Sequence, residues 1–521
     1  MAPTDLWVDG RVFTGRRYAE AFLVEEGRVI AVGTSTQVAR QAPQGTVRHD
    51  LAGRLVVPGL IDAHMHLFHT VLQQEGVDLR GVRSLSELLD RTAAAGRSRA
   101  LGPIIGRGWD HELLLEHRYP DRTDLDRIEP GRAIVLFRVC HHVAVVNSAA
   151  LEMLRITKGT PDPPGGRIGR DPAGDPTGVL FDTALEPVEE LVQKSFFERP
   201  HALGPTLLMA SRLGLTTLAS MSASAPEVRW ATGSAQARSL PVRLRFYLSV
   251  GQRPRLAELR RLPWSDSVGL AGVKLFMDGS FGARTAWLSV PYTDDPGESG
   301  VPVLDGPALQ ASLRWAAGEG LPIAIHAIGD RALSTALKAL RDDPPDHRPR
   351  IEHASLTPPD LFPLLDTVRP DLVVQPGFVA SDGWIAERLG PFRARWTYAF
   401  GTLIQRGYRL AGSSDSPVET LDPWAGLQVA IDRGPDRIRL EGGAGVETLA
   451  PEVALQLYTR NAGEVLGASG LGTIEVDAPA DFVVHSATDL VQAIRLGSPS
   501  IDATWRAGAA VYEKAEVVTH P

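Results

Sequence analysis

The chain has one cysteine, Cys140, among 521 residues. That excludes an internal disulfide and any metal site built from several thiolates. Lysine is nearly as scarce. Of the 54 basic residues, five are lysines (Lys158, Lys194, Lys274, Lys338 and Lys514) and the other 49 are arginines. No run of 18 apolar residues occurs, so no membrane-spanning helix is expected. The opening MAPTDLWVDG has neither the basic start nor the apolar core of a signal peptide, and the expected location is cytoplasmic. A surplus of positive charge is missing too: the formal net charge is −8, which argues against a nucleic-acid partner.

What is present is an ordinary globular composition, 43% hydrophobic and 22% charged. The length predicts about two to four domains, or one large barrel with additions. DLWVDGRVFTG, AFLVEEGRVIAVG and TVRHDLAGRLVVPG read as strands near the N-terminus, and 473–486 and 503–514 read as strands near the C-terminus. Together they predict a small β-domain assembled from residues 1–57 and 468–521.

Between these ends, apolar runs suited to buried parallel strands occur at 56–64, 215–221, 242–250, 270–277, 322–328, 350–354, 372–378 and 408–413. Most are followed by a helical stretch, such as 308–318, 330–341 and 358–366. Eight strand–helix units predict a (β/α)8 barrel over 58–73 and 206–467, with a doubly wound sheet as the competing architecture. About 150 residues separate the first two strands, far more than a loop requires. Residues 74–205 are therefore expected to form an inserted α/β subdomain. Its Pro/Gly-rich stretch 159–178 reads as a loop, and so does GGAGV at 442–446.

The strongest chemical signal is Asp62-Ala63-His64-Met65-His66 at the end of the first barrel strand. Strand residues two apart share a face, so His64 and His66 can reach one ion. Neutral imidazole is a common zinc ligand. His326 closes the fifth strand in PIAIHAIGD, His353 the sixth in RIEHASL, and Asp415 follows the eighth in LAGSSDSPV. Each histidine alone is better read as packed or exposed. Together they fall at C-terminal strand ends, where barrel enzymes place their active sites. Lys274 lies within the fourth strand, GLAGVKLFMDGS, where a bare ammonium is costly to bury. One reading pairs it with Asp278. The other makes it a neutral amine, carboxylated by carbon dioxide into an anionic bridge between metals. Arginine cannot readily do this, because its guanidinium stays protonated.

PGLIDAHMH, VKLFMDGSFGARTAWL, IHAIGDRA, RIEHAS, VVQPGF and AGSSDSPV, in this order, resemble the amidohydrolase superfamily. The nearer resemblance is to amidohydrolase family 3, the branch that includes an N-substituted formamide deformylase. GRGWD, YPDRTDLDRI, HHVAVVNSAAL and PTGVLFDTA in the insert, and LAPEVALQLYTRNAGEVLG with ADFVVHS in the tail, extend the likeness over essentially the whole chain. The resemblance implies a (β/α)8 TIM barrel with a β-sandwich built from both termini. It implies one metal on His64, His66 and Asp415, a second on His326 and His353, and a carboxylated Lys274 bridging them. Zinc is the usual expectation; the nitrogen ligands also suit cobalt, nickel or iron. The sequence departs from the family at TTLASMSAS, where relatives often carry a His-Asp pair, and at VDAPADFVV, which replaces the commoner Gly-Lys.

The function so implied is hydrolysis of a non-peptide C–N bond (amide, formamide, carbamate or cyclic amide) in a small molecule, with Asp415 as the catalytic proton carrier. The alternatives are a mononuclear-type deaminase of the same superfamily and a non-catalytic amidohydrolase-like protein. Trp109, His142, Arg284, Trp287, Tyr292, Gln375 and Trp384 are candidate substrate-binding residues, the middle three on a long segment that reads as a lid. A homodimer is the default assembly.

Overall fold

The computed structural model describes residues 4–98, 102–138, 143–163, 166–198, 202–237, 239–433, 447–468 and 470–515. Cys140, His142 and the 442–446 stretch lie outside the described residues. The protein divides into two compact units, residues 1–67 with 207–521, and residues 68–206.

The first unit contains eight parallel strands: β1 (Leu60–Met65), β2 (Leu215–Ala223), β3 (Arg243–Ser249), β4 (Val268–Phe276), β5 (Ile323–Ala327), β6 (Arg350–His353), β7 (Asp371–Val374) and β8 (Leu410–Gly412). Their order in the sheet is their order in the chain. The ends of the sheet meet just past β8, where Asp415 N donates to His64 O and His66 N donates to Ser416 O, both at 2.8 Å. All six residues of β1 and all five of β5 are buried. That is the near-continuous apolar pattern of strands covered on both faces. The helices between strands follow from their patterning. In Asp330–Asp342, Leu333, Ala336, Leu337 and Leu340 fall on one buried stripe. Gly306–Gly318 starts at Asp305, whose carboxylate accepts from Ala308 N at 2.8 Å.

The run expected as a single strand over 56–64 is two strands. Leu55–Pro58 belongs to a different sheet, and the chain passes into β1 at Gly59. A Cβ there would stand 2.5 Å from Thr216 Oγ1, so the crossing needs glycine. Leu55–Pro58 pairs antiparallel with Phe482–His485, which joins the two termini in one six-stranded sheet. A four-stranded sheet from residues 4–50 packs on it through Trp7, Phe22, Phe482 and Trp505. Phe482 and Trp505 stack with centroids 5.6 Å apart, and Trp7 meets Phe482 edge-on at 5.0 Å.

The second unit is built on its own six-stranded mixed sheet, in which Ile134–Arg138 pairs parallel with Ile104–Trp109 on one side and antiparallel with Val143–Val146 on the other. Its core includes Leu79, Leu88, Ile104, Trp109, Leu125, Ile134, Leu136 and Val145. The stretch 159–178, expected as a loop, contains Gly166–Arg170 antiparallel to the strand Pro176–Asp182. Asp171-Pro-Ala-Gly-Asp175 supplies the turn: Gly174 has φ +88°, and Asp171 N donates to Asp175 O at 2.9 Å. The proline and glycine that suggested a loop are the hairpin's reversal.

Candidate metal centre

The histidines and Asp415 meet at the C-terminal ends of the barrel strands. Ligand atoms of His64, His66 and Asp415 all lie within 4.8 Å of one another. His64 Nε2 and His66 Nε2 approach the same oxygen, Asp415 Oδ1, at 3.3 and 3.2 Å. The His353 ring stands between His64 and His326, with centroids 4.9 and 4.5 Å away. His64, Asp415, His353 and His326 are buried, and His66 is half-buried.

Outer partners fix which nitrogen each ring presents. His64 Nδ1 is 2.6 Å from Glu352 Oε2. His353 Nδ1 is 2.8 Å from Gln375 Oε1, and Gln375 Nε2 donates to Ser413 Oγ at 2.9 Å. His326 donates from Nε2 to Gly279 O at 2.9 Å. These bonds leave Nε2 of His64, Nε2 of His353 and Nδ1 of His326 as lone-pair donors. Burial, and then the nearby positive charge of Lys274, lowers His326 to about 3. Burial likewise holds His353 well below the ordinary range. Both imidazoles are neutral at physiological pH, the state a metal ligand requires. Burial acts to raise Asp415, but His64 and His66 outweigh it and hold the carboxyl well below its ordinary value.

Lys274 is 1% exposed, and among the described residues its Nζ has no hydrogen-bond partner. The Nζ lies 5.1 Å from the centroid of the Phe276 ring. Burial lowers it from 10.5 to about 8, against the pull of Glu352 and Asp415. A salt bridge to Asp278 is not what the geometry shows. Asp278 instead accepts from Ile328 N at 3.0 Å, Gly329 N at 2.8 Å and Trp287 N at 2.9 Å. An orphaned buried amine beside a cluster of neutral imidazoles and a carboxylate fits a centre that takes divalent ions.

The other candidates are placed differently. Gln375 is buried and spent on His353 and Ser413. Tyr292 is buried with its hydroxyl donating to Ala286 O at 2.9 Å. Arg284 pairs with Asp294 at 2.8 Å. Trp287 and Trp384 carry guanidinium groups 4.8 Å from their centroids, from Arg331 and Arg388 respectively. The lid-like segment is clasped to residues 384–393. Arg388 Nη1 donates to Phe281 O at 2.9 Å, and Arg393 donates to Val290 O and Pro291 O at 2.7 and 2.8 Å. In the second unit, Trp109 is a core residue whose indole N–H donates to Leu136 O at 2.9 Å.

Sequence reasoning missed Glu352 and Arg350. Their signal was available: Arg-x-Glu in a short buried strand puts two charges on the same face of β6.

The amidohydrolase family model matches residues 49–512. The chain belongs to the amidohydrolase family. The Bacillus subtilis (strain 168) protein YtcJ, which carries an amidohydrolase name, is 33% identical over 98% of this chain and 99% of its own length. The N-substituted formamide deformylase of Arthrobacter pascens is 26% identical over 89% of this chain and 90% of its own. Among solved structures, a metal-dependent hydrolase from Pyrococcus horikoshii OT3 superposes with a TM-score of 0.82 at 31% identity, covering 93% of this chain and 97% of the other. This amidohydrolase therefore shares with its structural relative a barrel fold used by metal-dependent hydrolases.

Proposed function

We propose that this amidohydrolase hydrolyses a non-peptide C–N bond of a small molecule with two divalent ions, zinc being the expected metal. The observation that carries the reading is the convergence of His64, His66 and Asp415 beside the orphaned Lys274 amine. The likeness to a named formamide deformylase supports the bond type. His64, His66 and Asp415 would hold one ion, and His326 and His353 the other. The ions would supply Lewis acidity, activating water and polarising the scissile carbonyl.

Lys274 would bridge the pair after carboxylation. Its neutral amine attacks carbon dioxide, a C–N bond forms, and one proton leaves to solvent. With a pKa of about 8, about a quarter of the amine is neutral at pH 7.5, against about one part in a thousand for an unshifted lysine. Asp415, held ionised, accepts the proton of the attacking water and returns it to the leaving nitrogen. Such help is typically worth about 10²–10⁴-fold. Gln375 holds His353, and Glu352 holds His64.

The test joins metal counting to turnover. Metal-replete protein is expected to contain about two ions per chain and to release amine from members of an N-formyl and N-acyl amine panel. One ion per chain with ammonia release from aminated heterocycles favours the mononuclear deaminase reading instead.

A further inference from the structure

The groups behind the buried histidines differ in charge. His64 Nδ1 faces a carboxylate, Glu352, at 2.6 Å. His353 Nδ1 faces a neutral amide and His326 Nε2 a neutral carbonyl. Asp278 Oδ1 is 3.5 Å from His326 Nε2, but it accepts from Ile328 N. Of these three rings, His64 alone hydrogen-bonds an anion.

Glu352 is itself fixed. Arg350 Nε reaches its Oε1 at 2.5 Å, and Arg350 Nη2 reaches its Oε2 at 3.0 Å. The same Nη2 donates to Ala63 O at 2.7 Å, the carbonyl just before His64. Tyr247 closes the far side, with the guanidinium carbon 4.6 Å from its ring centroid. Thus one arginine holds both the carboxylate that orients the His64 ring and the backbone that carries it. Arg350 and Glu352 are both buried. A buried ion pair is weak support for stability, since an apolar pair of similar volume often packs as well. Its connection to His64 gives it another use.

We propose that Arg350 and Glu352 are positioning residues that make the His64–His66–Asp415 position the tighter of the two metal sites, so that it loads first. The carboxylate keeps the proton on Nδ1, aims the Nε2 lone pair at the ion and raises the basicity of the ligand. The loading order rests on the two-ion reading above; the hold on His64 does not.

The experiment uses full-length protein stripped of metal and titrated with Co²⁺ against a competing chelator, with visible absorbance and ion count recorded. Wild type is expected to fill in two phases. The double variant Arg350→Met/Glu352→Gln removes both charges while keeping volume. It is expected to weaken the first phase about 10–100-fold, leaving the second phase and the stripped protein's melting temperature in place. An unchanged first phase overturns the proposal. So does a collapsed melting temperature with metal affinity intact, which would assign the pair to packing. If the double variant does not fold, Glu352→Gln alone carries the same comparison. A wild type that takes up one ion in one phase defeats the two-ion reading and the loading order. The single phase then tests the hold on His64 by itself.

Discussion

Replacing Lys274 by methionine should stabilise the metal-free protein and lower the number of ions it can hold. The side chain is 1% exposed, and its amine has no hydrogen-bond partner among the described residues. Its pKa falls from 10.5 to about 8 because burial penalises the charged form more than Glu352 and Asp415 favour it. At about 1.4 kcal/mol per pKa unit, the protonated side chain costs the folded state about 3 kcal/mol at pH 7. Between pH 8 and 10.5 the unfolded chain binds the proton and the folded chain does not. Wild-type stability therefore rises with pH through that window, and the penalty shrinks to under about 1 kcal/mol by pH 10. Methionine matches the length of lysine without the charge.

The assay is thermal unfolding of chelator-treated wild type and Lys274→Met from pH 7 to pH 10. For a unit of this size, about 3 kcal/mol corresponds to a gain of about 4 °C at pH 7, and most of the gain should vanish by pH 10. Ion counting on reloaded protein should show fewer than two ions per chain. An equal or lower melting temperature at pH 7, or a gain that does not decline with pH, would refute the reading of Lys274 as a buried, unpartnered amine.

Other outcomes follow from the same geometry. Lys274→Arg keeps the charge but cannot form a carbamate; two ions and full turnover in that variant would rule out the bridge. Asp415→Asn should retain much of the metal by ion counting and lose about 10²–10⁴-fold in turnover. Gln375→Leu strips His353 Nδ1 of its partner and should weaken the second ion about 10–100-fold in a chelator competition, sparing the first. Arg393→Ala removes two charged donors from the carbonyls of Val290 and Pro291. It should cost about 1–3 kcal/mol in stability and expose residues 277–305 to limited proteolysis.

The candidate metal ligands stand out in the sequence because barrel chemistry concentrates where strands end. Eight apolar runs located the strands, and polar residues just past them stood out. Sequence carried less about what supports those ligands. Glu352 contacts His64 across 288 positions of chain, a pairing no local pattern encodes. Tyr292 and Trp109 were attractive as pocket aromatics, yet the polar atom of each is spent on a nearby carbonyl, Ala286 O and Leu136 O. Only the folded chain shows that. The stretch from Phe281 to Tyr292 reads as a lid because a long polar loop, TDDPGESG, follows it. Arginines about 100 residues downstream clasp it, and that spacing is invisible to periodicity.

Backbone conformation is the least legible part of the site and explains how it fits together. His353 has φ +71°, Ala354 +43° and Asp415 +55°, in the left-handed region that side-chain-bearing residues avoid. Such residues cost about 1–3 kcal/mol each and persist where the surroundings over-determine them. Here the surroundings do so. Asp415 N is tied to His64 O, and Ala354 N to Glu352 O, at 2.8 and 2.9 Å. Strict alternation along β6 would send Glu352 and His353 to opposite faces. The turn at His353 instead brings its ring to within 4.9 Å of the His64 ring that Glu352 orients. One strained residue thus lets a four-residue strand supply both a candidate ligand, His353, and the support for a candidate ligand on another strand, His64. Glycine would relax the backbone at 353 or 415 but remove the donor, so the strain stays with the chemistry.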